Sequence, residues 1–244
     1  MQILITVDWD YFIPEDIRWD MGHRESGFFL EAAWRFRPQV IDKMNLNGEQ
    51  LYFWEKLRKI TGPLCLTSVS DSHCYITHDP RYESADAIIL FDQHHDCFKK
   101  PDTSYVDCGN WAWAWLDGDK KRHLYWMRPY YLDEKYHLGF TPPKGRTRVK
   151  VITWKDLPKL VEGNKVRGVH VCRSGCWTPP WLDEEFIKFA SSASHYERIL
   201  NLQDEGLWNA MKQRWEDTEK MIEDIRFDWL NMKEKMLHLQ SQAV

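Results

Sequence analysis

The stretch Ile88-Ile89-Leu90-Phe91-Asp92-Gln93-His94-His95-Asp96 begins as an apolar run of strand length and ends in metal-type ligands. The start of the chain repeats the design: Ile3-Leu4-Ile5-Thr6-Val7 runs into Asp8-Trp9-Asp10. Unbroken apolar runs of this length belong to strands buried on both faces of a parallel sheet. Ligand sites of such sheets lie just beyond the carboxyl ends of the strands. Carboxylates are costly to bury unless they are paired or hold a cation. Two carboxylate clusters at predicted strand ends therefore point to one shared metal site.

Further strands are predicted at Leu64–Val69, Leu124–Met127, Val149–Thr153 and Val169–Cys172, beside Ile3–Val7 and Ala87–Phe91. Helical patterns lie between them, at Phe29–Phe36, Glu49–Lys59, Trp111–Leu116 and Asp183–Ala190. Strands alternating with helices predict a three-layer α/β/α fold around a mainly parallel sheet. The segment from Leu132 to Thr147, with Pro142-Pro143, is expected to be surface loop. Residues 1–200 are read as one metallohydrolase-like domain and residues 201–244 as a C-terminal helix. In the latter, Trp208, Met211, Trp215, Thr218, Ile222, Ile225, Trp229, Met232, Met236 and Leu239 follow a heptad seam. A helix over about 203–240 would be roughly 55 Å long. It is expected either to lie across its own domain or to form a homo-oligomer.

The bulk numbers set the class. The 244 residues suffice for one α/β domain with a large core. A net charge of -4 gives no reason to expect a nucleic-acid surface. No apolar run reaches the roughly 18 residues of a membrane span. The N-terminus lacks a basic n-region, so a secretion signal is not expected, and the location is read as cytoplasmic. The six cysteines form no CxxC pair and are expected to be reduced thiols. Cys172 and Cys176 lack further partners at zinc-site spacing. Most of the 14 tryptophans are expected in core or interface, and Trp111, Trp113 and Trp177 in either core or a substrate groove.

Asp92, His94 and Asp96 alternate, so an extended or tightly turning backbone lets them converge. The same spacing places Asp8 and Asp10 together. Ser70-Asp71-Ser72-His73, just after the Leu64–Val69 strand, brings another imidazole to a strand end. Oxygen and imidazole donors suit Mn or another divalent first-row ion better than a thiolate-preferring one. Six such ligands can hold two ions with a carboxylate or two bridging them.

Asp92-Gln93-His94-His95-Asp96 resembles the Asp-Ala-His-x-Asp motif of the arginase/agmatinase ureohydrolases. Val7-Asp8-Trp9-Asp10-Tyr11-Phe12 is similar to their Ser-x-Asp-x-Asp motif, and Ser70-Asp71-Ser72-His73 is similar in place to their Gly-Gly-Asp-His-Ser motif. The resemblance implies two Mn ions bridged by Asp8 and Asp92, one completed by His73 and Asp96, the other by His94 and Asp10. It departs from the family in order, since the Asp-x-Asp strand comes first here, as in a circularly permuted arginase-like fold. Gly-Gly is missing before Asp71-Ser72-His73. Cys108-Gly109-Asn110 resembles the substrate-holding Ser-Gly-Asn loop, which implies substrate binding by Gly109 and Asn110. The family's shuttling histidine is replaced by Ala112, and either His95, His78 or His23 substitutes or no such residue is needed. Asp96 and His95 are thereby the catalytic candidates. Glu184, Asp183 and Glu25 are candidates for the guanidinium-binding acid. The permuted start and the Ser174-Gly175-Cys176-Trp177-Thr178-Pro179-Pro180 loop are most like the peptide arginases. That likeness implies an arginine-containing precursor peptide as substrate, with ornithine and urea as products. The alternatives are a deacetylase-like amidohydrolase and a non-catalytic scaffold with a structural metal.

Overall fold

The computed structural model describes residues 1–14, 43–98, 106–131, 147–175, 177–193 and 218–242. Its centre is a six-stranded sheet of β1 (Gln2–Asp8), β2 (Leu66–Ser70), β3 (Ala87–Phe91), β4 (His123–Met127), β5 (Val149–Ile152) and β6 (Lys165–Cys172). The order is β2-β6-β1-β3-β4-β5, and every neighbouring pair is parallel. All six sequence-predicted strands are therefore present. Parallel pairing requires each strand to return through a crossover, which places helices on the sheet's faces.

Alternation along β1 divides the core. Ile3, Ile5 and Val7 point to one face, where they join Phe53, Trp54 and Leu57 of α1 (Phe53–Thr61). That cluster also holds Leu157 of α3 (Leu157–Val161) and Phe186 and Phe189 of α4 (Asp183–Ser192). Leu4 points to the opposite face, with Ile88, Leu90, Leu124 and Trp126. There α2 (Trp111–Gly118) presents Trp111 and Trp115, one helical turn apart and both buried. Helices thus cover both faces, as the strand–helix alternation predicts.

The helix expected from Glu49 begins instead as a 3-10 turn over Glu49–Leu51 and becomes α-helical at Phe53. It stops at Gly62, whose φ of 77° lets its N–H return to the Arg58 carbonyl. The C-terminal helix α5 runs over Thr218–Gln242. Its Ile225 is fully buried, whereas Phe227, Leu230 and Met232 are exposed. The expected Phe29–Phe36 helix, residues 132–146, Cys176 and the seam positions Trp208, Met211 and Trp215 lie outside the described residues. No helix of the described residues is long and apolar enough to cross a membrane. None of Cys65, Cys74, Cys97, Cys108 and Cys172 is in a disulfide.

Strand order places the site. β1 lies between β3 and β6; the connection after β1 runs to β2 toward one edge and that after β3 to β4 toward the other, which makes the carboxyl ends of β1 and β3 a topological switch point. Register sets the level: Val7 stands beside Phe91, and Asp8 beside Cys172. Asp8 and Asp92 therefore leave the sheet side by side.

Candidate metal centre

Asp8 ends β1 and caps the 3-10 turn Trp9–Phe12, its Oδ1 accepting from the Asp10 amide at 3.2 Å. The turn carries Asp10 back toward the sheet end, where it is fully buried. Asp92 follows β3 and caps its own loop, one oxygen accepting from the His94 amide at 2.6 Å. His73 opens the 3-10 helix His73–His78 after β2. Asp96 adopts a left-handed φ of 49°. That conformation is costly for a residue with a side chain. It is held because the Asp96 carbonyl accepts from the amides of Ala112 and Trp113 at the start of α2.

These residues meet around two imidazoles. His73 Nδ1 lies 3.2 Å from Asp8 Oδ2, 3.1 Å from Asp92 Oδ2 and 3.0 Å from Asp96 Oδ2. His94 Nδ1 lies 3.1 Å from Asp10 Oδ2 and 3.4 Å from Asp92 Oδ1. Asp92 thus turns one carboxylate oxygen to each histidine. The described residues contain three overlapping donor groups at metal-ligand separations: Asp8–His73–Cys172, Asp10–Asp92–His94 and His73–Asp92–Asp96. All six sequence-predicted ligands are among them.

The electrostatics call for a cation. Asp8, Asp10, Asp92 and Asp96 are all buried. Burial, then the charges of Asp8 and Asp92, pushes the Asp10 carboxyl well above the ordinary carboxylate range, against the opposing pull of His94. Burial and Asp92 likewise raise Asp96. For His73, burial alone would lower proton affinity, but hydrogen bonding to Asp8, Asp92 and Asp96 lifts it well above the imidazole norm. Asp10 and Asp92 do the same for His94. An imidazole nitrogen carries at most one hydrogen, so it cannot satisfy three carboxylate oxygens at about 3 Å. Asp10 Oδ2 is buried and has His94 Nδ1 beside it at 3.1 Å. Crowded, under-satisfied oxygens around imidazole nitrogens fit a divalent cation, which accepts several such donors at once.

Neighbours lock the ligands in place. Trp111 Nε1 donates to Asp96 Oδ2 at 2.5 Å, and its ring packs on His73. Trp126 Nε1 donates to the Asp92 carbonyl at 2.8 Å. Gln93 joins the two ligand loops, its Nε2 donating to the carbonyls of Asp10 and Ile13 at 2.8 and 2.7 Å. Buried Arg173 reaches Asp183 at 2.6 Å and Asp71 at 3.3 Å, joining β6, α4 and the loop before His73. The Trp177 ring lies 4.5 Å from that of His94 and forms a wall beside it.

The other sequence candidates are not members of these donor groups. His95 is buried, with Nδ1 accepting from the Cys97 amide and its ring against Phe98 and Trp126. Gly109 and Asn110 form the turn before α2, where Asn110 Oδ1 accepts from the Asp107 amide. Glu184 pairs with Lys188 one turn along α4, and Asp183 pairs with Arg173. His78 packs its ring near Tyr75. His23 and Glu25 lie outside the described residues. The sequence reading missed Cys172, which the β1–β6 register sets beside Asp8, and it missed Gln93. Cys172 stands in no local ligand pattern, and Gln93 falls between the alternating donors of the Asp92–Asp96 motif.

Fold and site together define a parallel α/β protein with a buried carboxylate–imidazole site, able to hold a metal ion, at its switch point. No protein-family model, curated protein or solved structure matches the chain.

Proposed function

We propose that this protein is a manganese-dependent hydrolase of guanidino groups. In this reading it acts on arginine residues within a peptide and releases urea to leave ornithine. The observation that carries it is Asp92, whose two oxygens serve different histidines. In this reading Asp92 and Asp8 would be shared between the metal ions, and His73, Asp96, His94 and Asp10 would complete their ligands. The carboxylate-rich donor set suits manganese or another divalent first-row ion. The resemblance of the ligand motifs to those of the ureohydrolases supports the same substrate chemistry.

Divalent ions held by these residues supply Lewis acidity and water activation at neutral pH. The remaining work belongs to the chain. The face of Trp177 gives a flat guanidinium a surface to lie on. Asp96, fixed by the Trp111 N–H, is placed to take a proton from the attacking water and return it to the departing amine nitrogen. Water adds to the guanidinium carbon, the bond to the side-chain nitrogen breaks, and urea and a primary amine result.

The test is mass spectrometry of an arginine-containing peptide incubated with the manganese-loaded protein, with free arginine assayed alongside. A mass loss of CH2N2 per arginine residue, with urea released, is the expected result. Urea from free arginine alone would limit the reading to small guanidines. No change in either substrate by a protein that binds the metal would refute it.

A further inference from the structure

A row of polar side chains crosses three strands beneath His73. Thr6 of β1 is in register with His170 of β6, and Ser70 of β2 lies one strand further on. All three are buried. His73 Nε2 lies 2.7 Å from Thr6 Oγ1, and Thr6 Oγ1 lies 2.8 Å from His170 Nδ1. His170 Nε2 lies 2.9 Å from Ser70 Oγ, which donates to the Ser72 carbonyl at 2.8 Å.

The direction of this chain follows from its last link. A carbonyl only accepts, so the Ser70 hydroxyl hydrogen points to Ser72. Ser70 Oγ must then accept, and His170 Nε2 carries the hydrogen. His170 Nδ1 is left with a lone pair, and the Thr6 hydroxyl donates to it. Thr6 Oγ1 in turn accepts from His73 Nε2–H. Reversing the chain would set two oxygen lone pairs against each other at the Ser70–Ser72 contact.

We propose that Thr6, His170 and Ser70 are positioning residues that hold neutral His73 in the Nε2–H form and so aim the Nδ1 lone pair at the carboxylate cluster. This nitrogen is the one that lies about 3 Å from Asp8, Asp92 and Asp96. A histidine that binds a metal through one nitrogen is oriented by the hydrogen bond its other nitrogen donates. Here the acceptor is a hydroxyl, itself fixed by a second, non-ligating histidine. The inference rests on the metal-site reading and concerns the site's affinity rather than the identity of its substrate.

The test uses the full chain loaded with Zn2+, a diamagnetic probe, and has two readouts. Long-range 1H–15N NMR of 15N-histidine-labelled protein should show His73 and His170 each protonated at Nε2, with His73 Nδ1 carrying the metal-induced shift. Competition with a chelator should show Thr6→Val weakening Zn2+ binding by roughly 10- to 100-fold. Thr6→Ser, which keeps the hydroxyl, should restore wild-type affinity to within about threefold. His73 bound through Nε2, or Thr6→Val with wild-type affinity, would overturn the relay and leave the metal site standing. A wild-type chain that binds no Zn2+ or Mn2+ would sink the metal reading itself. The NMR arm needs no variant, so poor folding of Thr6→Val leaves the relay exposed to refutation.

Discussion

Asp92 separates the role of charge from that of shape. Asp92→Asn keeps the side chain's size but removes one negative oxygen from between His73 and His94. Metal content, read by elemental analysis, and guanidine hydrolysis are expected to fall together, each by 10-fold or more. Full activity with a full metal complement would contradict the bridging role. Trp111→Phe removes the indole N–H that Asp96 Oδ2 accepts and leaves a gap where the larger buried ring packed. A buried carboxylate oxygen that loses a donor costs about 1–3 kcal/mol, to be read as a lowered urea midpoint. At this scale the ligands were legible because aspartate and histidine at alternate positions after an apolar run have few structural uses. Thr6 and His170 were not. In a strand a threonine reads as a β-branched filler, and a lone histidine reads as core. Their relation exists only in the β1–β6 register, which no local pattern encodes.

Gly168 in β6 tests how closely the sheet elements fit. A Cβ there would lie 2.4 Å from Thr67 Cγ2 and 2.8 Å from Thr67 Oγ1. Thr67 has little room to give way, since its Oγ1 is 2.6 Å from Asp79 and 3.0 Å from the Val169 carbonyl. Gly168→Ala is therefore expected to destabilise by about 1–3 kcal/mol, measured by urea denaturation. The strands were legible as elements because each holds a short apolar run, several of them β-branched. β6 begins at Lys165, earlier than its apolar run, because its first residues lie at the exposed rim of the sheet and alternate with solvent. The short helix α3 escaped notice. Its five residues are too few to show a period, and Pro158 in its first turn reads as a break.

For the molecule as a whole, metal binding and folding should be linked, because the ligands come from strand ends far apart in sequence. An ion at 100 times its Kd adds about 2.7 kcal/mol to stability. For a domain of this size that raises Tm by roughly 5–10 °C, which scanning calorimetry with Mn2+ against EDTA would detect. An unchanged Tm would mean that the donors do not gather an ion in the folded state. The long C-terminal helix was legible from its seam, and the structure shows α5 over Thr218–Gln242 with Ile225 buried. Ile225→Asp should free α5, because a buried aspartate finds no partner in an apolar contact. Faster amide exchange over Thr218–Gln242 is the expected sign. The strand order has one more consequence, and it concerns time. The Thr6–His170 hydrogen bond spans 164 residues, and β1 has no sheet neighbour until β3 and β6 exist. On a ribosome β1 is made before both of its sheet neighbours, so its acidic end must remain in water until β3 and β6 arrive. Long-range parallel pairing of this kind is slow. Hence a cell short of chaperones should lose more of this protein to aggregation of the waiting apolar strands.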